Sequence, residues 1–355
     1  MSFVFASDLH LKPASSYRKT LLVGDAYYAL KQIEQYILDH GVSTLILGGD
    51  VYDSNQPAGE SSNLVSALVR NLTAHNVKVF YIEGNHDRIN PNPYLVKQYR
   101  VEHRLLSSSG AQRLGTGLHE IDGMVFQGID YCPSDKLHEK LQTMHWCDVL
   151  CIHAGFRHLI GFEDAYDLEK KDIPDTVKQA VLVGHIHVAD SHQMENGVSI
   201  HSSGSTWPWR IDEAQKKHGF LHFDGDIHNP KYVDLDCRKY FDIDEEQDIL
   251  VTLSEDHVLP PVLRYKRSKL PNLKYEDYGE AVKLIAMSDD ADVEELLDAN
   301  EENAADLMDA LIIGVPAEQY PQLFTLLKEL LDSQDPAEYL RMFLEEQQVT
   351  FKQGA

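Results

Sequence analysis

Short apolar runs separated by amphipathic segments dominate the first 190 residues of the chain. Apolar residues at helical spacing predict one helix between the first two runs and a second helix between the next two. The predicted strands lie at residues 3–6, 44–47, 77–82, 124–129, 149–152 and 181–183. The helical stripes consist of Leu22, Ala26, Ala29, Leu30, Ile33 and Ile37, and of Leu64, Leu68 and Leu72. This β-α-β-α-β order predicts an α/β layered fold with largely parallel inner strands.

Three later apolar runs lack long helices between them. They lie at residues 198–204, 220–225 and 231–235. Because a parallel connection usually needs a crossover helix, these runs predict an antiparallel second sheet or an antiparallel edge. The domain that carries the α/β pattern therefore extends over residues 1–240.

The pattern changes near residue 241. Residues 241–278 contain short strand-like runs and predict a small capping segment, after which residues 279–355 become acidic and helical. Two apolar stripes mark the helical region, and Pro336 separates them. The first stripe consists of Leu323, Leu327, Leu330 and Leu331, and the second of Leu340, Phe343 and Leu344. Two interpretations stay open: a helical hairpin that closes its own core, and a face that binds a partner.

The net charge of −25 is unevenly distributed, and most of it lies in the C-terminal third of the chain. Residues 241–355 hold 9 Lys and Arg against 27 Asp and Glu, whereas residues 1–240 hold 23 against 30. An acidic chain disfavours binding to a nucleic-acid backbone, which requires Lys and Arg. Because most of the excess acid lies in the C-terminal third, nucleic-acid binding by the first 240 residues is not excluded.

Composition and the cysteines narrow the class of protein further. Apolar residues make up 43% of the chain, which is typical of a globular protein with a full core. No run of 18 apolar residues occurs and the N-terminal segment lacks the pattern of a secretory signal, so we expect a cytoplasmic protein without a membrane span. The four cysteines form no C-x-x-C pair, which disfavours a disulfide framework or a thiolate zinc site.

Polar clusters follow five of the predicted strands, each at the point where the strand ends. In chain order they read SDLH, GGDVYD, GNHD, IHAG and GHIH. Because the carboxyl ends of parallel strands meet at one crevice, we expect these distant clusters to form a single site. The candidate metal ligands that they contribute are Asp8, His10, Asp50, Asn85, His153, His185 and His187.

Mixed imidazole and carboxylate ligands are typical of Mn, Fe, Zn and similar divalent ions. Seven side chains are too many for one tetrahedral ion, and a bridging Asp50 would let them hold two ions roughly 3.5–4 Å apart, as in two-metal hydrolases. Asn85 would ligate without adding negative charge, which preserves positive charge for a phosphate. His86 is then free to donate a proton to the phosphate or the leaving oxygen, and Asp87 is suited to holding a histidine or the turn in place. His86 and Asp87 are therefore the candidate catalytic residues.

The order D-x-H, G-G-D, G-N-H-D, H and G-H-x-H resembles that of the calcineurin-type metallophosphoesterases over residues 1 to about 190. The following segment, SIHSSGSTWPWRIDEAQKKHGFLHFD, is similar to that of the SbcD-type DNA repair nucleases and their phage recombination counterparts. This resemblance implies a two-sheet α/β sandwich flanked by helices. It also implies a manganese-dependent DNA exonuclease and endonuclease that works as a homodimer with an SMC-like coiled-coil ATPase of the SbcC type.

The resemblance further implies how the ligands divide between two ions. One ion would be held by Asp8, His10, Asp50 and His187, and the other by Asp50, Asn85, His153 and His185, with His86 acting on the scissile phosphate. The ATPase would bind helices near the C-terminus, where the two apolar stripes lie. Two positions depart from the family's pattern. Asp53 stands where archaeal and eukaryotic members usually have a histidine linked to exonucleolytic cutting, whereas phage and SbcD-like members often have aspartate there. Lys12 stands where a glycine is common.

Candidate DNA contacts are aromatic and basic side chains outside the five clusters. They are Trp207, Trp209 and Arg210 after the last histidine pair, and Arg264, Lys266 and Arg267 in the only basic cluster of the acidic half. Base stacking and phosphate contact would use such residues. Packing of the tryptophans inside the domain and a solvated basic strand face are the structural alternatives.

Three functions are compatible with these residues. The first is a two-manganese DNA nuclease subunit. The second is a small-molecule phosphodiesterase or phosphatase of the same superfamily, which the acidic charge favours and the long C-terminal region disfavours. The third is a non-catalytic scaffold, which the complete set of ligands opposes.

Overall fold

The computed structural model describes residues 2–17, 20–55, 57–87, 106–157, 167–266, 268–273, 278 and 281–287. The residues predicted to bind a partner, Leu323, Leu327, Leu330, Leu340, Phe343 and Leu344, lie outside the described residues, as does Arg267. Within the described ranges, no helix combines the length and the apolar content needed to cross a lipid bilayer.

The first part of the chain alternates strands with two long helices, as its apolar pattern predicts. In chain order it contains β1 (Ser2–Ala6), β2 (Ala14–Tyr17), β3 (Thr20–Val23), α1 (Asp25–Asp39), β4 (Thr44–Leu47), α2 (Gly59–Ala74), β5 (Lys78–Tyr81) and β6 (Gln112–Arg113). Strands β1, β4, β5 and β6 pair in parallel, while β2 and β3 form a separate antiparallel hairpin. Leu22 was wrongly included in the first helical stripe. It lies on β3, because Gly24, with a φ of 91°, turns the chain just before α1 begins.

The next part of the chain builds a second sheet and completes the first. It contains β7 (Leu118–Ile121), β8 (Met124–Ile129), α3 (Ser134–Thr143), β9 (Cys147–His153), β10 (Val177–Gly184), β11 (Ala189–Gln193), β12 (Ser199–Ser203), β13 (Gly219–Asp224) and β14 (Lys231–Asp234). The second sheet has the order β11-β12-β10-β9-β8-β7, in which β8, β9, β10 and β12 are parallel.

The later strands do not form an antiparallel sheet of their own, in contrast to the prediction. Strand β12 lies inside the second sheet, whereas β13 pairs antiparallel with β1 and extends the first sheet to the order β14-β13-β1-β4-β5-β6. Five of the six residues of β13 are buried, on both faces of the strand. A strand buried on both faces belongs inside a covered sheet and not at an exposed edge, which is why β13 lies next to β1.

Alternating side chains along the strands build the apolar layers of the sandwich. In β1, Phe3 and Phe5 pack between the two sheets, whereas Val4 and Ala6 pack against α1 and α2 on the other face. Phe3 stacks on Phe223 of β13 with the ring centroids 4.4 Å apart. Helix α3 covers the outer face of the second sheet. The predicted α/β fold, a two-sheet sandwich flanked by helices, is thereby confirmed.

A third sheet follows the sandwich. Its three parallel strands are β15 (Tyr240–Ile243), β16 (Val262–Lys266) and β17 (Lys283–Met287). Helix α4 (Glu246–Leu253) lies between β15 and β16 in the chain. Strand β17 contradicts the prediction that the chain is helical from residue 279 onward. Val282, Leu284 and Ile285 are buried there, and their strand completes a sheet that two strands alone would leave marginal. The domain boundaries at residues 240 and 278 stay predictions.

Arg238 connects the small sheet to the sandwich. Its guanidinium forms two parallel hydrogen bonds of 2.8 Å to the carboxylate of Asp25 at the start of α1. It also donates to the carbonyl oxygens of Val23, at 2.8 Å, and Pro260, at 2.5 Å. The side chains of Arg238 and Asp25 are 1% and 5% exposed, so each buried charge depends on the other for compensation.

We predict that Asp25→Ala destabilises the protein by about 3–5 kcal/mol, because the buried Arg238 guanidinium loses its counter-ion. The control is Lys239→Ala, which removes the exposed partner of Asp236 and should cost less than about 1 kcal/mol. Urea denaturation followed by circular dichroism measures both free energies of unfolding. Equal losses in the two variants would contradict the prediction.

Candidate metal centre

Polar side chains from both sheets meet where the parallel strands end. Each follows or ends a strand that runs parallel to at least one neighbouring strand, so the side chains converge at one edge of the sandwich. The structure brings all five predicted clusters into contact with one another. The first sheet contributes Asp8, His10, Asp50 and Asn85, and the second contributes His153, His185 and His187.

The backbone is strained at four of these residues. The φ angles are 54° at Asp8, 40° at His10, 49° at Asp50 and 86° at His185, all in the left-handed region. Among the described residues, only two other non-glycine residues have a positive φ. Each such residue costs about 1–3 kcal/mol, which the surrounding contacts must offset. The chain therefore bends sharply at the strand ends in order to place donor atoms in the crevice.

Two glycines allow the loops to approach the donors closely. A Cβ atom at residue 84 would overlap the carboxylate of Asp50, and a Cβ atom at residue 184 would overlap the carbonyl oxygen of Gly48. The glycines that begin the GNHD and GHIH clusters are therefore required, because a residue with a side chain would not fit there.

Asp8, His10 and His187 form the first group of donors. The Nε2 atoms of His10 and His187 are 3.1 Å apart, and Asp8 Oδ1 lies 3.9 Å from the first and 3.7 Å from the second. His187 Nδ1 donates to Glu213 Oε1 at 2.7 Å, so in the neutral ring its Nε2 has a lone pair and no proton. Two imidazole nitrogens and a carboxylate oxygen thus face one another at distances that a shared cation would bridge.

Asn85 organises the second group of donors. Its amide oxygen lies 3.1 Å from His153 Nε2 and 3.1 Å from His185 Nδ1. His153 Nδ1 donates to the carbonyl oxygen of Gly48 at 2.9 Å, which fixes the ring and leaves Nε2 facing the other donors.

Asp50 joins the two groups. Its Oδ2 lies 3.2 Å from His153 Nε2 in the second group and 3.8 Å from His10 Nε2 in the first. Three overlapping sets of imidazole nitrogens and carboxylate oxygens have all their donor atoms within 4.8 Å of one another: Asp8 with His10 and His187, Asp50 with His153 and His185, and Asp50 with His10 and His86. Imidazole, carboxylate and amide donors around a shared carboxylate fit two divalent transition-metal ions.

The charges in the centre compensate one another. Burial raises the pKa of the Asp8 carboxyl. Burial acts in the same direction on Asp50, but the imidazoles of His153 and His10 outweigh it and hold the pKa of that carboxyl well below its usual range. Burial would lower the pKa of His153, but Asp50 outweighs it and raises that pKa to about 10. Without a cation, a proton on His153 therefore balances the Asp50 carboxylate.

The two candidate catalytic residues have different positions. The backbone N–H of His86 donates to Asp50 Oδ1 at 2.9 Å, and its Nδ1 donates to the carbonyl oxygen of Asp53 at 2.8 Å, which leaves Nε2 for another partner. The Asp87 carboxylate accepts three backbone hydrogen bonds, from Val51 at 3.3 Å, Tyr52 at 3.0 Å and Gly84 at 2.9 Å. Asp87 thus holds the turns in place, which is the supporting position expected of it.

Glu213 is a functional residue that the sequence did not single out. Its Oε1 accepts from His187 Nδ1, and its Oε2 accepts the backbone N–H of Trp209 at 3.0 Å. Burial would raise the pKa of Glu213, but the hydrogen bond from His187 lowers it, so the carboxylate stays ionised. The acidic residue in the segment WRIDEAQKKHGF was the available indication, but its 26-residue separation from His187 revealed no contact.

Of the predicted DNA contacts after the last histidine pair, Trp207 is buried, whereas Trp209 and Arg210 are partly exposed. Trp207 is 3% exposed and donates its indole N–H to the carbonyl oxygen of Leu9 at 2.7 Å, which favours the packing alternative. Trp209 is partly exposed and its ring stacks on His10, with the centroids 4.7 Å apart. The guanidinium of Arg210 lies 3.4 Å from Asp212 in the same turn.

The basic cluster on β16 is partly neutralised. Arg264 pairs with Asp242 of β15 at 2.7 Å, and Lys269 pairs with Asp244 at 2.5 Å. Lys266 is exposed at the end of β16. A DNA contact by Arg264 and Lys266 stays a prediction.

Comparison with known proteins gives the following matches. The model of the family described as calcineurin-like phosphoesterase matches residues 1–220.

Three curated relatives are each described as a DNA double-strand break repair protein Mre11. The protein from Sulfurisphaera tokodaii is 23% identical over 251 residues, which cover 66% of this chain and 63% of that protein. The protein from Sulfolobus acidocaldarius is 21% identical over 291 residues (79% and 75%), and that from Methanococcus maripaludis is 24% identical over 280 residues (72% and 73%). The aligned part of the chain thus spans 63–75% of the length of these relatives.

We predict that the apparent affinity for Mn²⁺ rises with pH between about 6 and 9, by up to about tenfold per unit. The pKa of His153 is about 10 without a cation, so this imidazole is protonated at neutral pH and must lose its proton before Nε2 can bind a metal. Isothermal titration calorimetry in buffers of different ionisation enthalpy measures both the affinity and the protons released. A pH-independent affinity without proton release would show that His153 is not a ligand.

We predict that Glu213→Gln weakens metal binding by about 10–100-fold, because the neutral amide no longer holds His187 with its Nε2 lone pair directed at the site. The control is Asp212→Asn, which removes the same charge from the neighbouring residue, whose side chain is 58% exposed. Mn²⁺ titration of both variants tests the prediction, and similar affinities would contradict it.

Proposed function

The chain belongs to the calcineurin-like phosphoesterase family, and on that premise we propose that it is a manganese-dependent DNA nuclease that uses two metal ions. Membership of the family confirms the resemblance seen in the sequence and makes the chain a phosphoesterase. The observation that carries the proposal is the pair of donor groups joined by Asp50, with His86 hydrogen-bonded to the same carboxylate.

The seven donors fit the ligand division that the resemblance implies. Asp8, His10 and His187 would hold one ion, Asn85, His153 and His185 the other, and Asp50 both. When bound, two divalent ions supply positive charge to the phosphate and lower the pKa of a water nucleophile.

The protein's own groups control the charge and the proton in the site. The amide of Asn85 completes the second group without a third carboxylate, so less negative charge opposes the incoming phosphate. His86 Nδ1–H is held by the Asp53 carbonyl oxygen, which orients the ring. His86 Nε2 is then the atom that donates a proton or a hydrogen bond to the leaving oxygen.

Two observations favour DNA as the substrate. The relatives bear the name of DNA double-strand break repair proteins, and the segment after the last histidine pair is similar to that of SbcD-type nucleases. We extend the proposal to exonuclease and endonuclease activity in DNA repair and recombination. The predicted C-terminal helices at residues 279–355 would then bind an SMC-like coiled-coil ATPase, with the nuclease as a homodimer.

A small-molecule phosphodiesterase is the second candidate function. The acidic net charge favours it, as do the burial of Trp207 and the pairing of Arg264 with Asp242, which leave fewer groups for DNA. Incubating the purified protein and Mn²⁺ with linear DNA and with bis-p-nitrophenyl phosphate separates the two. Hydrolysis of the small ester without DNA cutting, even with the ATPase present, would reject the nuclease proposal.

We predict that His86→Ala lowers the rate of DNA hydrolysis by about 10²–10⁴-fold, because the proton donor is lost. Mn²⁺ should still bind with a stoichiometry of two, since the other donors stay in place. His138→Ala, at a partly exposed position on α3, is the control and should retain full activity. If a sensitive nuclease assay shows His86→Ala to be as active as this control, the role of His86 is wrong.

A further inference from the structure

Lys12 and Asp53 contact each other in the structure. The ammonium of Lys12 lies 3.1 Å from Asp53 Oδ1, although 41 residues separate them in the chain. The same oxygen accepts a hydrogen bond of 2.5 Å from the indole N–H of Trp209. One carboxylate oxygen of Asp53 therefore holds both the Lys12 ammonium and the Trp209 indole.

Lys12 lies beside the metal centre. Its Nζ is 5.3 Å from the centre of the Trp209 ring and 5.6 Å from that of the Trp207 ring. The Trp209 ring stacks on His10 at a centroid distance of 4.7 Å, and Asp53 Oδ1 lies 3.8 Å from His10 Nδ1. The ammonium and the His10 imidazole thus share two neighbours, the Trp209 ring and Asp53 Oδ1, and the Nε2 atom of His10 belongs to the first group of donors.

The ammonium keeps hydrogen-bond donors for a ligand. It carries three N–H donors, of which Asp53 uses one, while the faces of the two indoles attract the positive charge. The side chains of Lys12 and Asp53 are 21% and 25% exposed, which places the pair at the rim of the crevice. The side chain of Lys12 is therefore partly accessible to a ligand from solvent while it stays paired with Asp53.

Electrostatics favour a phosphate as that ligand. Asp53 adds a carboxylate next to Asp8 and Asp50, and an uncompensated carboxylate at the rim would repel an approaching phosphate. Lys12 neutralises Asp53 and retains N–H donors that a phosphate oxygen could accept. In a chain with a net charge of −25, backbone binding depends on such local cations.

We propose that Lys12 binds the phosphate next to the scissile phosphate of a DNA strand, while Asp53 and Trp209 hold its side chain in position. The inference rests on the proposed nuclease function, since a polynucleotide carries a neighbouring phosphate and a simple phosphodiester does not. Lys12 is accordingly a residue that determines specificity for polynucleotides.

Steady-state kinetics with Mn²⁺ test the inference on two substrates, a linear DNA and bis-p-nitrophenyl phosphate. Lys12→Gln removes the charge, Lys12→Arg keeps it, and Lys140→Gln, at an exposed position on α3, is the matched control. We expect Lys12→Gln to raise KM for DNA about tenfold, with kcat nearly unchanged, and to lower the logarithmic salt dependence of kcat/KM by about one. The loss on DNA should exceed any loss on the small ester at least fivefold, and Lys12→Arg should restore the salt dependence.

Asp53→Asn tests the coupling between the paired residues. It removes the carboxylate that Lys12 neutralises but retains the backbone carbonyl that holds His86. In the Asp53→Asn background, Lys12→Gln should raise KM for DNA by only about threefold, because no uncompensated carboxylate is left behind.

Three outcomes would overturn the inference. If the wild type cuts DNA and Lys12→Gln has the same KM as Lys140→Gln, the phosphate contact is wrong and the nuclease function stands. Equal losses on DNA and on the small ester would mean that Lys12 acts through the metal centre and not through a neighbouring phosphate. If the wild type does not cut DNA, the nuclease function and this inference both fail.

Discussion

The burial of Asp8 and Asp50 is the constraint on which the site depends. The two residues are 0% and 2% exposed, and a buried carboxylate without compensation costs several kcal/mol. Positive charge must therefore be supplied inside the crevice, by protonated imidazole or by cations. The surrounding residues serve this need: four imidazoles and one neutral amide contact the carboxylates or one another, and Glu213 fixes the ring of His187.

The two-sheet fold makes this concentration of charge feasible. Parallel strands of both sheets end at the same edge, so the polar turns of the two sheets face each other there. The apolar layer between the sheets stays buried. The small sheet is attached to the sandwich by buried charges that likewise compensate one another. Arg238 and Asp25 are buried together, and the guanidinium also satisfies carbonyl oxygens from both sides of the junction. In both places, the protein buries ionised groups only in sets that compensate one another.

The sequence predicted the features that depend on residue type and on the spacing of apolar residues along the chain. Helices α1 and α2, the parallel strands β1, β4, β5, β8, β9 and β10, and the seven candidate donors follow from apolar spacing and from polar residues at strand ends. Features that depend on pairing between distant segments could not be read in this way. The apolar run at 220–225 is compatible with an edge or a central strand, and only its pairing with β1 decides between them. The contact between Glu213 and His187, and the strand at 283–287, likewise result from tertiary packing.

The left-handed backbone at Asp8, His10, Asp50 and His185 has a consequence for how this chain can change over time. Glycine at any of these positions would relieve the local backbone strain, but it would also remove a side chain on whose charge or contacts the other buried groups depend. At these four residues the protein therefore gives up local backbone stability for the geometry of the metal centre.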